Sequence, residues 1–224
     1  MQTSKQQLIA LLKRTGSVTV EEAAGALSVA SMTARQHLVG LERDGLVHAE
    51  KERISKGRPH YLYTLTTRGH EMFPQRYDLF AQILLDEVGL LRSDEIEALS
   101  PDQKRSLLIQ RSTDRLAERF SFPVEGRSLE QRVAAVTDVL HLIGGFAEWR
   151  GCEDGFEIRD YNCVFAHLVP EEVSGCEWHT RLLAQLLKWP VRHELTRSGR
   201  AQHCRYVVSP DAGPLTGEEL LLNA

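Results

Sequence analysis

The sequence predicts an α+β protein: an N-terminal domain of helices and a hairpin, a helical middle, and a C-terminal α+β domain. Three observations predict it. Helical apolar spacing is interrupted by cap and stop residues three times before Leu46; two strand-like runs then flank a basic turn; and beyond a further helical stretch the period shortens to that of strands twice more. A chain of 224 residues can bury more than one core, and 42% hydrophobic with 26% charged residues is a globular composition.

The N-terminal elements follow in order. From Lys5 to Lys13, Leu8, Ile9, Leu11 and Leu12 form one apolar face, and Gly16 closes the helix. Thr19 caps a second helix, Val20 to Leu27, with Ala23, Ala24 and Leu27 at core spacing. A turn at Ser28-Val29-Ala30 leads to a third helix, expected to be capped by Ser31 and to run to about Asp44. Ala34, Leu38 and Leu41 face inward, Gly45 is the stop, and Leu46-Val47 pack back. Met32, Thr33, Arg35 and Gln36 are left pointing outward near the start of that helix.

In a helix-turn-helix those positions enter the major groove, where Arg pairs with guanine and Gln with adenine. Ser31, Met32, Thr33, Arg35 and Gln36 are therefore candidate DNA contacts, with Arg35 and Gln36 as the base readers. A plain three-helix interaction module would wet the same face, so the spacing alone leaves both readings open. The next segment separates them. Leu46 to Ala49 and Tyr61 to Leu65 read as strands joined through Lys51, Arg53, Lys56, Gly57, Arg58 and Pro59. Four cations opposed only by Glu50 and Glu52 make this hairpin a wing, whose Lys51, Arg53, Lys56 and Arg58 address phosphates or a minor groove. Charge agrees: residues 1–76 carry 11 Lys+Arg against 7 Asp+Glu, a net of +4, leaving −8 for residues 77–224. Residues 1–70 are thus expected to be a winged helix-turn-helix domain that binds double-stranded operator DNA.

Residues 71–125 are expected to be a helical linker and dimerisation region. Phe73, Tyr77, Phe80, Leu84 and Leu91 form a stripe in a helix from Met72 to Leu91 that suits a second subunit or an internal core equally. A second helix, Asp102 to Phe120, ends near Pro123-Val124-Glu125-Gly126, the expected domain boundary. In residues 126–210, Ser128-Leu129-Glu130-Gln131 is a capping box opening a helix through Leu140 and Ile143. Strands are expected at Phe146 to Arg150 and Phe156 to Asp160 around Asp154-Gly155, and at Val191 to Thr196 and Cys204 to Val208 around Ser198-Gly199. Cys176 to Leu187 reads as a helix between the pairs, and residues from Pro210 onward as a loose tail, 211–224 lying outside the domain.

Three cysteines fall on three of these elements: Cys163 after a strand, Cys176 in the first turn of a helix, and Cys204 at the start of a strand with Tyr206 and Val208. Convergence on one point is open to them, and the helix N-terminus favours the thiolate of Cys176. Intervals of 12 and 27 residues are unlike the short knuckles of structural zinc sites. Soft thiolates suit zinc and iron-sulfur clusters alike, while three free thiols packed as small hydrophobes remain the plainer alternative. Cys152, beside the Gly151 to Gly155 turn, stands apart from the set.

The chain resembles the SufR-like regulators of iron-sulfur cluster biogenesis, winged-helix repressors related to the DeoR and ArsR groups. The resemblance runs through Thr33-Ala34-Arg35-Gln36-His37-Leu38, Leu41-Glu42, Gly45-Leu46-Val47, Gly57-Arg58-Pro59-His60-Tyr61-Leu62-Tyr63, Leu65-Thr66 and Phe73-Pro74-Gln75-Arg76-Tyr77. It continues in Asp160-Tyr161-Asn162-Cys163, Cys176-Glu177 and Cys204-Arg205-Tyr206. The winged helix is shared by many families, whereas the three-cysteine arrangement is specific. The resemblance implies a homodimeric repressor whose C-terminal domain holds an iron-sulfur cluster, commonly [4Fe-4S], through Cys163, Cys176 and Cys204. It also implies release of operators of cluster-assembly genes when the cluster is lost or oxidised. Some relatives carry a fourth cysteine between the second and third, but Glu177 to His203 contains none. That leaves Cys152, His179, His193, His203, a carboxylate, a small thiol or water for the fourth iron site.

Other classes fit less well. A zinc-stabilised or small-molecule-responsive repressor shares the DNA-binding half. A thiol enzyme would need Cys163 as nucleophile with His167 or His179 as base, yet there is no evident oxyanion motif, phosphate loop or H-E-x-x-H, so no catalysis is expected. The Met1 to Gln7 stretch lacks the apolar run of a signal peptide, and no run is long enough for a membrane span. A cytoplasmic protein without a membrane partner is the expectation.

Overall fold

The computed structural model describes residues 3–52, 60–121, 124, 127–163, 177–198 and 201–216. The chain divides into two compact units, Met1–Pro74 with Leu195–His203, and Gln75–Glu194 with Cys204–Ala224.

In the N-terminal part, α1 spans Ser4–Thr15, α2 Val20–Leu27 and α3 Ser31–Arg43. Capping boxes start the first two: Thr3 exchanges hydrogen bonds with Gln6, and Thr19 with Glu22. The expected cap of α3 is corrected. Ser31 is the first helical residue and Ala30 occupies the cap position without a side-chain bond, so Ser31 is free to present its hydroxyl outward. The C-terminus of α3 is closed by a Schellman pair, Gly45 N–H to the Glu42 carbonyl and Leu46 N–H to that of Leu41. Strands β1 (Val47–Glu52) and β2 (His60–Leu65) pair antiparallel, from Val47 opposite Leu65 to Glu52 opposite His60. Val18 bridges to Tyr63 beside them. Leu8, Leu12, Val18, Ala23, Ala34, Leu38, Leu41, Val47 and Tyr63 fill the core. Helical, two-stranded and tightly capped, this is a winged helix-turn-helix.

A short helix that sequence periodicity did not predict, α4 (Thr67–His70), follows β2. The next, α5, spans Tyr77–Leu90 and not Met72–Leu91: α4 ends just before, and Pro74 disfavours helical backbone at Phe73. Then come α6 (Ser93–Ile96), α7 (Pro101–Ser121), α8 (Leu129–Leu142), β3 (Ala147–Cys152), β4 (Gly155–Asp160), α9 (Glu177–Leu187), β5 (Arg192–Ser198) and β6 (Ala201–Val208). The sheet order is β3-β4-β6-β5, with β4 antiparallel to both β3 and β6.

One core joins these elements. Leu79 and Ile83 of α5 and Leu116 of α7 belong to the same buried cluster as Val136 of α8, Leu183 of α9, and Ile158 and Tyr206 of the sheet. The helices of residues 71–125 therefore do not stand apart across a boundary at Pro123-Gly126; α7 packs along α9. Strand alternation sorts the sheet into two faces. Ile158, Cys204, Tyr206 and Val208 turn to the core, and Glu157, Arg159 and Arg205 to the other side.

The expected loose tail is docked at its start. Pro210–Ala212 forms a 3-10 turn, and Leu215 N–H donates to the Lys188 carbonyl at 2.8 Å. Pro210 sits where a Cβ on Gly155 would come within 2.3 Å of its Cδ, so the bare glycine makes room for it. Residues 217–224 of that tail lie outside the described residues.

Candidate nucleic-acid interface and cysteine site

Ala34 and Leu38 are completely buried and fix the rotation of α3 about its axis. The opposite stripe is exposed: Ser31, Met32, Arg35 and Gln36 face solvent, and Thr33 is half-buried. The same stripe continues beyond the residues singled out from sequence. A shallow depression along it is lined by Met32, Arg35, Gln36, Val39, Gly40 and Arg43. Val39 and Arg43 lie beyond the first turn, where the sequence places base-reading residues, but steps of three and four from Gln36 and Val39 put them on the same face. Apolar Met32 and Val39, at 66% and 48% exposure, suit thymine methyl contacts, with the two arginines beside them for guanine or phosphate. On the hairpin, Lys51 is exposed in β1. Arg53, Lys56 and Arg58 lie outside the described residues.

The second candidate site is assembled around the end of β4. Asp160, the last residue of that strand, accepts hydrogen bonds at one carboxylate oxygen from Phe146 N–H (3.1 Å) and Asn162 N–H (3.0 Å). Asn162 is buried and donates its side-chain amide to the Gly144 carbonyl at 3.0 Å. The Asp-Tyr-Asn run thus clamps the exit of β4 to the turn before β3 and so positions Cys163, which is half-buried. Cys204 is buried on β6, directly opposite Asp160 in the register. Both thiols consequently belong to the same end of β4.

The Cys163 sulfur lies 3.9 Å from Nδ1 of His179, which is only 2% exposed in α9. The ring is held among aromatics, with Trp178 at 4.9 Å and Tyr206 at 6.4 Å between centroids; His193 lies 5.1 Å from Tyr206. Burial, with the neighbouring His193 adding to it, pushes His179 down to about 4. The imidazole is neutral near pH 7 and available as a ligand, whereas a general base works best with a pKa near the operating pH. That weighs against a Cys163–His179 catalytic pair; His167, the other base considered, lies outside the described residues.

Cys176 also lies outside them, so the three-cysteine set is described at Cys163 and Cys204 only. Among the described residues no three His, Cys, Asp or Glu side chains gather as a ready metal site. The donors on view, two thiols and a buried neutral imidazole, fit a soft metal centre in their chemistry. Cys152 is at the opposite end of the sheet, paired with Gly155. Among the described residues no helix is long and apolar enough to cross a membrane.

The fold and the exposed stripe of α3 define the class: a DNA-binding transcription regulator with a winged helix-turn-helix reading head. Residues 5–51 match the family model of the DeoR-like helix-turn-helix domain. No curated protein matches the chain. Among solved structures it is similar to Bacillus subtilis PadR in complex with operator DNA, at 15% identity over 62% of this chain and 90% of that one, with a TM-score of 0.27.

Proposed function

We propose that the protein is a cytoplasmic, homodimeric repressor of iron-sulfur cluster biogenesis genes, which senses cluster, iron or redox status through a [4Fe-4S] cluster held by Cys163, Cys176 and Cys204. The observation that carries the reading is the placement of Cys163 and Cys204 at one end of β4 in a unit separate from the winged helix, with the Asp160–Asn162 clamp fixing the first of them. When bound, such a cluster supplies redox lability that thiols alone lack. The chain's own part is mechanical. Cys163 leaves β4, Cys204 belongs to β6 and Cys176 precedes α9, so shared ligation ties the helix to the sheet. Loss of that tie lets α9 and the α7 helix packed along it relax. In a dimer reading two half-sites, a changed spacing of the heads costs affinity. The dimer reading is supported by Leu85, Val88 and Leu90 of α5, exposed at 72%, 51% and 58%.

One observation favours the second reading, a zinc-stabilised repressor: a Cys beside a His is also a zinc ligand pair. A single experiment separates the two. The full chain is purified without oxygen, analysed for iron, acid-labile sulfide and zinc, and tested on duplexes that it selects from a random pool, before and after exposure to air. Iron and sulfide with air-sensitive binding support the cluster. Colourless protein with stoichiometric zinc, or binding indifferent to air, overturns it.

A further inference from the structure

We infer that the exposed stripe of α3 reads pyrimidine C5-methyl groups at two points of the duplex that one winged helix covers. One methyl group lies against Met32 and the other against Val39, with Arg35 and Gln36 reading the base pair between them. This reading rests on the DNA-binding class of the protein and is independent of any metal centre.

The stripe has an order. Met32, then Arg35 and Gln36, then Val39 and Gly40, then Arg43 follow one another at steps of three and four, each group about one turn beyond the last. All six line one depression, in which apolar and polar side chains alternate. A single exposed apolar residue on a helix is ordinary, but here two bracket an arginine and a glutamine along one concave face. Neither has a place inward, because Ala34, Leu38 and Leu41 fill the buried face of α3. Val39, branched at Cβ and held to one rotamer in a helix, offers a fixed methyl surface.

Gly40 is a second, independent observation. Glycine inside a helix is destabilising relative to alanine. The core does not require it here: the nearest atom to a Cβ at this position is Cε of Lys5, at 3.4 Å, the far end of a flexible side chain. The bare backbone instead leaves a notch beside Val39 in the wall of the depression, open to a close approach from outside. Charge favours DNA as what approaches. Asp44, the carboxylate that follows Arg43, is engaged by Lys5 at 2.6 Å, which leaves Arg43 to face outward, and residues 1–76 carry a net charge of +4.

In the major groove the C5-methyl group of thymine is the apolar mark that distinguishes a T·A pair. A cytosine methylated at C5 carries the same group in the same place, so it is a second source of the same contact. The seven residues from Met32 to Val39 rise about 10 Å along the helix. That distance spans about two to three base pairs of the groove.

The test uses the full chain and the duplexes that it selects from a random pool. Each thymine in turn is replaced by deoxyuridine, which removes the methyl group and keeps every hydrogen-bonding group of the base. Two positions, about two to three base pairs apart, should each lose about fourfold in affinity, the worth of one buried methyl group. Met32→Ala should abolish the loss at one of them and Val39→Ala at the other. With cytosine in place of either thymine, methylation at C5 should tighten binding by about the same fourfold factor, so the two sources are read in separate arms. Gly40→Ala should raise the thermal unfolding temperature yet bind the selected duplex more weakly than the wild type.

Selected duplexes with no such pair of positions, or indifferent to deoxyuridine throughout, overturn the methyl reading and leave DNA binding standing. Sensitivity that survives both Met32→Ala and Val39→Ala overturns its assignment to this stripe. Gly40→Ala binding as tightly as the wild type overturns the role of the notch. A chain that selects no duplex from the pool overturns the DNA-binding reading and this one together. Because the deoxyuridine series is read on the wild type, a poorly folding variant cannot hide the outcome.

Discussion

Gly69 lies so close to Leu46 that a Cβ built on it would stand 2.2 Å from the Leu46 carbonyl oxygen. The contact joins α4 to the turn between α3 and β1, and Thr66 reinforces it by donating to the Gly45 carbonyl at 2.7 Å. Gly69→Ala must push backbone from backbone, at a cost of about 1–3 kcal/mol. Denaturant unfolding monitored by amide exchange at Leu38 and Leu41 should show the loss in the winged helix; wild-type protection there would contradict it.

DNA contacts on α3 and on the hairpin should fail differently. Arg35→Ala is expected to lose about 1–3 kcal/mol of affinity and to relax base preference at one position of each selected half-site. Lys51→Ala should weaken all duplexes alike and lower the slope of log affinity against log salt by about one. Salt titrations of both variants on selected and scrambled duplexes check the pair.

Leu116 on α7 is fully buried in the core that also holds the sheet. Leu116→Ala should cost about 2–5 kcal/mol. Because the core is shared, helices and sheet should be lost in one transition. Two separable transitions, helical first, would restore an independent linker region.

Much of the winged helix was legible because caps and stops are local. Thr19, Gly16 and Gly45 act on neighbours a few residues away, so spacing alone located the elements. Ser31 misled because Ser is a good cap in general, while here Ala30 holds the cap geometry and the serine is one residue inside. The joining of residues 71–125 to the C-terminal core was not legible: the stripe on α5 reads the same whether its partner is α7 or another chain. The candidate site was half legible. Three cysteines could be counted, but the nearness of His179 to Cys163 depends on how α9 lies on the sheet, which no local pattern encodes.

Acid should probe the outer face of the sheet. Burial alone would raise Glu157, but hydrogen bonds from Arg205 and Arg150 and the charge of Arg159, 2.8 Å away, hold it below the ordinary glutamate value of 4.5. A carboxylate with a depressed folded pKa stabilises fully above the unfolded value, and that contribution is lost as pH falls through the folded one. Unfolding of the wild type should therefore ease below about pH 4.5. Glu157→Gln should be less stable at neutral pH by about 2 kcal/mol and flatter across that acid range.

Asn162→Ala removes the buried bond to the Gly144 carbonyl. It should cost about 1 kcal/mol and loosen the exit of β4. Titration with a thiol reagent should then find Cys163 reacting faster than in the wild type, while Cys152 at the other end of the sheet keeps its rate.

The last strand of the sheet is one of its two inner members: β6 sits between β4 and β5. During synthesis the reading head can form while the ribosome is still making α5, but β4 finds its second neighbour only after Ala201–Val208 has emerged. A newborn chain thus completes the core of its winged helix well before β6 can bring Cys204 opposite Asp160, and a chain truncated ahead of Ala201 would stay in that condition permanently. On the reading proposed above, such a fragment lacks Cys204 and with it the tie that sets the spacing of the heads, so it would be fixed in the operator-released condition.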